Sequence, residues 1–98
     1  MKRDPSKWIL SKKIADSDWI ELGSFEVRAT AISAMMAVIK RDDAALRDLL
    51  GPEAAASGLR IEHELPHDNV HVITVYEANG GQAFDIVYRV VDPAAGSS

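Results

Sequence analysis

The chain has no cysteine, which excludes a disulfide framework, a thiolate metal site and a cysteine nucleophile. It has no run of about 18 apolar residues, so no membrane-spanning helix is expected. Residues 1–15 lack the apolar stretch and small-residue cleavage site of a secretory signal, and a cytoplasmic location is expected. Aromatics are few: two Trp, two Tyr and two Phe. Gly80-Gly81 lacks the spacing and the following helix that would cradle a phosphate. No catalytic triad, nucleophile elbow or paired-carboxylate signature occurs, so neither an enzymatic activity nor a cofactor is expected.

What is present is 98 residues with 47% hydrophobic and 27% charged side chains, enough for one sizeable core. A single domain over residues 1–92 is expected, with a frayed small-residue tail over 93–98. Charge is unevenly spread. Lys2, Arg3, Lys7, Lys12 and Lys13 face Asp4 alone in residues 1–14, a net of +4, so the rest of this chain of net charge -4 carries -8. From Leu50 onward only Arg60 and Arg89 oppose Glu53, Glu62, Glu64, Asp68, Glu77, Asp85 and Asp92. Such a body repels phosphate backbones, so direct duplex nucleic-acid binding is not expected, and a basic protein surface is the better partner.

Periodicity gives the elements. Trp8, Leu10 and Ile14 share one parity, Ile20 and Leu22 share the parity that would face them, and Asp16-Ser17-Asp18 between the runs is turn chemistry. A three-residue loop would set Ile14 opposite Ile20. The apolar positions then change parity at Gly23 to Phe25 and Val27, which predicts a bulge and a bent second strand. Ile32, Met35, Met36 and Ile39 fall at helical spacing, with Thr30 as the expected N-cap and Lys40-Arg41 at the C-terminal end. A second, shorter helix from about Asp43, with Leu46, Leu49 and Leu50, would stop at Gly51-Pro52.

The last third reads as three strands. Asn79-Gly80 predicts a two-residue type I′ turn that pairs Val75 with Phe84, Ile73 with Ile86 and His71 with Tyr88. Carried back across Pro66-His67-Asp68, the same face sets His63 opposite His71. The expected fold is therefore α+β, in the order ββααβββ: an antiparallel sheet of about five strands with one or two helices on one face. Its outer face would carry Trp19, Val72, Tyr76, Val87 and Val91. That is much apolar surface for a solvated face, open to cover by a helix, a second copy or a target protein.

His63, His67 and His71 recur every four residues, but Pro66 and the Asp68-Asn69 turn break any helix there. Facing each other in a hairpin, His63 and His71 with oxygen from Asp68 or Glu64 would make a nitrogen–carboxylate site. Without cysteine or a recognised ligand spacing, no bound metal is expected.

In its length, lack of cysteine, acidic stretch from Glu53 to Asp92 and ββααβββ order, the chain resembles the small phage- and prophage-encoded inhibitor proteins, of which anti-CRISPR proteins are the best-known set. The resemblance implies a non-enzymatic binder that blocks a host nucleoprotein complex, by occupying its nucleic-acid channel or by preventing recruitment of a partner. On the residues alone, a protein-binding face is expected from the carboxylates Glu62, Glu64, Glu77 and Asp85 with Trp19 and Tyr76 as apolar anchors. The alternatives are a metal- or ligand-binding enzyme domain built on His63 and His71, and a structural homodimer.

Overall fold

The computed structural model describes residues 7–92; the expected tail at 93–98 and the basic residues Lys2 and Arg3 lie outside the described residues. Five strands and one helix follow in the order β1 (Trp8–Ile14), β2 (Ile20–Phe25), α1 (Arg28–Ala56), β3 (Arg60–His67), β4 (Val70–Tyr76) and β5 (Gln82–Val91). The strands form one antiparallel sheet in the order β2-β1-β5-β4-β3. This is the expected α+β class, with α1 alone packed on the sheet, over β1, β2 and β5.

The β4–β5 pairing matches the sequence pattern: Val75 faces Phe84, Ile73 faces Ile86 and His71 faces Tyr88. The turn that produces it differs. Glu77 N–H donates to the Gly81 carbonyl at 2.7 Å and Gly80 N–H donates to Glu77 at 2.9 Å, which leaves a three-residue loop. Gly80 has φ 90, the left-handed position that such a loop requires. Asn79 is not in that region, so the turn is not type I′. The register shifts between Val75 and Tyr76, where Ala83 is the extra residue. The longer loop and the bulge compensate, so the face is conserved.

In the first hairpin Lys12, not Ile14, lies opposite Ile20. The turn lengthens because Ala15 takes φ 50, and Ser17 Oγ donates to the Ile14 carbonyl at 2.6 Å. The expected bulge is present. Leu10 faces Gly23 and Ser11 faces Glu21, leaving Leu22 extra, so Leu22 and Phe25 both reach the core. In the third hairpin, His63 lies opposite Ile73 instead of His71, because the register shifts between Glu64 and His67.

The helix starts at Arg28, with Ala31 N–H donating to the Val27 carbonyl, so Thr30 lies in the first turn and is not the cap. Ala31, Met35 and Ile39 are buried against Leu10, Ile73, Ile86, Tyr88 and Val90, whereas Met36 faces outward at 47% exposure. The expected break near Lys40–Asp43 is absent, and one helix runs on to Gly51. Asp42 continues the buried stripe after Ile39 and before Leu46, and its partners lie on the sheet, as described below. At Gly51 (φ 71, ψ 175) the backbone takes a conformation open essentially to glycine, and Pro52 restarts a short helical turn.

Candidate functional site

The sheet presents two surfaces of different chemistry. Under α1, a line of polar groups crosses the helix–sheet interface. Tyr88 O–H donates to Asp42 Oδ2 at 2.7 Å, and Lys12 Nζ donates to the same oxygen at 3.0 Å. Tyr88 is fully buried, so its hydroxyl needs this partner. Burial first, and then the Asp42 carboxylate, push the Tyr88 phenol far above the usual tyrosine range. For Asp42, burial pushes upward, but the hydrogen bonds from Tyr88 and Lys12 outweigh it and hold the carboxyl below its ordinary value. A cleft of about 180 Å³ opens beside this pair, lined by Lys12, Asp42, Ala45, Leu46, Leu49 and Ile86.

The neighbouring residue on the helix begins a second chain. Asp43 Oδ1 lies 2.9 Å from His63 Nε2, His63 Nδ1 lies 2.8 Å from His71 Nε2, and Arg47 Nε donates to Asp43 Oδ2 at 2.9 Å. An ionised carboxylate only accepts, so His63 Nε2 carries a proton toward Asp43. With both rings neutral, His63 Nδ1 then accepts from His71 Nε2–H. That leaves His71 Nδ1 as a buried acceptor with no partner among the described residues. The Arg47 hydrogen bond is the largest influence holding Asp43 below the ordinary aspartate range. Burial, then the nearby His63, push His71 below the usual histidine range.

The structure thus brings together the two histidines picked out in the sequence, although their register differs by two residues. Their carboxylate is Asp43 from the helix, not Asp68 or Glu64. No group of three or more His, Asp or Glu side chains among the described residues is arranged to hold a metal ion. The sequence pattern does not single out Asp42, Asp43 or Tyr88 as site residues. The available signal was a carboxylate on a helical stripe otherwise made of Met35, Ile39 and Leu46.

The opposite face of the sheet has no helix on it among the described residues. Ile9, Val70, Val72, Val87 and Val91 lie on it by strand parity, with Tyr76 toward one end. Glu62 and Glu64 share this face, opposite Thr74 and Val72, and so does Asp85, opposite Thr74. Trp19 folds over it from the first hairpin, with its ring 3.8 Å from the Arg89 guanidinium carbon. Arg60 stacks on Tyr76 at 5.3 Å and pairs with Glu62 at 2.9 Å. Trp19, Glu62, Glu64, Tyr76 and Asp85 therefore share one surface, as the sequence pattern expects. Glu77 does not: it is exposed in the β4–β5 turn.

No protein-family model matches the chain, and comparisons with curated proteins and with solved structures return no match. Among the described residues, no helix is long and apolar enough to cross a membrane.

Proposed function

We propose that the chain is a non-enzymatic protein-binding module and that the open face of the sheet is its docking surface. One observation carries this reading: four half-buried valines, Val70, Val72, Val87 and Val91, lie on the face that α1 does not cover, beside Glu62, Glu64 and Asp85. Apolar side chains flanked by Glu62 and Glu64 on the β3 edge and by Asp85 on the central strand suit a partner that offers an apolar patch next to lysine or arginine. Trp19 and Tyr76, each stacked on an arginine, are held as rigid anchors at the margins. The narrower form of the proposal is a mobile-element inhibitor that docks on a basic surface of a host nucleoprotein complex. It draws on the acidic second half of the chain and on the resemblance in size and element order.

The test compares proteins captured from a host lysate by the immobilised wild type and by Glu62→Lys/Glu64→Lys/Asp85→Lys at low salt. Loss of specific captured proteins, with the melting temperature preserved, is the expected result. An identical catch for both rejects the acidic-face reading.

A second reading, a metal- or ligand-binding use of the histidine pair, is favoured by the unpartnered Nδ1 of His71. Calorimetric titration with zinc, wild type against His63→Ala/His71→Ala, decides it. No stoichiometric uptake by the wild type removes it.

A further inference from the structure

The open face can be read as rows running across the strands. One row is Lys13, Val87, Val72 and Glu64, on β1, β5, β4 and β3 respectively. A cation stands at one end, a carboxylate at the other and two valines between them. Among the described residues neither Lys13 nor Glu64 belongs to an ion pair.

This row is complementary to itself. Turning a second copy by 180° about an axis parallel to the strands, between β4 and β5, reverses the strand order and keeps the rows aligned. Lys13 then lies over Glu64 of the second copy, and Val87 over Val72, twice by symmetry. The same operation sets Asp85 over Thr74 and Arg89, with the Trp19 ring stacked on it, over Val70, so no like charges meet in these rows. An axis along the row instead stacks Lys13 on Lys13 and Glu64 on Glu64, which repel. We propose that the open face is the interface of a symmetric homodimer whose two-fold axis runs parallel to the strands between β4 and β5. The proposal rests on the docking-face reading above and names its occupant. The basic group recognised by Glu64 on the β3 edge is Lys13 on β1 of a second copy.

The size of the face sets the strength. With the axis between β4 and β5, β2 lies outside the overlap, and the four facing strands, about 4.8 Å apart and about 24 Å long, give roughly 450 Å² per copy. At roughly 900 Å² in total it falls below standard-size interfaces, among weak reversible contacts, and a dissociation constant in the micromolar range or above is expected.

Sedimentation velocity across that range tests the proposal. The wild type is expected to show a reversible monomer–dimer equilibrium. Lys13→Glu and Glu64→Lys should each weaken it about tenfold or more, because each change sets like charges together twice. The double swap Lys13→Glu/Glu64→Lys restores opposite charges and should recover dimerisation, with circular-dichroism melts confirming that every variant folds. A monomer at all concentrations, a dimer indifferent to either reversal, or a double swap that fails to recover overturns the proposal. If the wild type is monomeric, lysate capture by Val72→Glu/Val87→Glu separates the two claims. Loss of captured proteins keeps the docking face and removes only the dimer, and an unchanged catch removes both.

Discussion

The hydroxyl of Tyr88, in the middle of the sheet, and the carboxylate of Asp42, in the middle of the helix, meet at 2.7 Å. This contact lets a carboxylate occupy the apolar stripe of α1 and lets a fully buried phenol satisfy its donor. The helix runs unbroken through this contact, where the sequence pattern suggests a break.

Asp42→Ala strands both the buried Tyr88 hydroxyl and the Lys12 ammonium, and is expected to cost about 2–4 kcal/mol. Tyr88→Phe leaves Asp42 with Lys12 and removes only one hydrogen bond, for about 1–2 kcal/mol. Urea denaturation of the two single variants and the double variant checks this. A double variant as unstable as the sum of the singles would show that the two groups are not coupled.

Stability should fall on both sides of a plateau. His71 titrates lower in the folded chain than its ordinary 6.5, so the unfolded state binds the proton more readily. Its contribution is present above about pH 6.5 and is lost as pH drops below that value. Asp42 and Asp43, held low, add to the acid limb below about pH 4. Tyr88, held high, acts at the other end: the unfolded phenol ionises near pH 10, so stability declines as pH rises past that point. Melting temperatures from pH 4 to 11 measure the plateau. His71→Asn should flatten the limb between pH 6.5 and 5, and Tyr88→Phe the alkaline limb. A His71→Asn profile that keeps the wild-type slope would contradict the assignment.

Gly80 at φ 90 permits the β4–β5 turn. Gly80→Ala is expected to cost about 1–2 kcal/mol, and Gly80→Asn less, because asparagine enters the left-handed region more readily than alanine. Thermal melts of the two variants check the order, and equal losses would point to a cause other than backbone conformation.

The sequence was most legible where side-chain parity is unbroken. Phe84, Ile86, Tyr88 and Val90 alternate so regularly that the β4–β5 register follows, even though the turn carries one residue more in the loop and one more in a bulge. The first hairpin slipped by two because Ala15 adopts a conformation that alanine seldom takes, so nothing local announces it. The sequence pattern divides the helix because Lys40-Arg41 suits a C-terminal end and a new helix fits from about Asp43, whereas Asp42 and Asp43 in fact face the sheet. Their partners, Tyr88, Lys12 and His63, are 46, 30 and 20 residues away, beyond the reach of any periodicity. The open-face cluster was visible through parity alone, apart from Glu77, which the lengthened turn moves off the strand.

The uncovered face of the sheet is proposed to dock a second copy of this chain. Methyl NMR spectra across a dilution series test it most directly. The Val72 and Val87 methyls and the Trp19 indole are expected to shift together with concentration while Leu10, Ile39 and Ile73, under the helix, stay fixed. Shifts confined to the helix side, or none at any concentration, would contradict it.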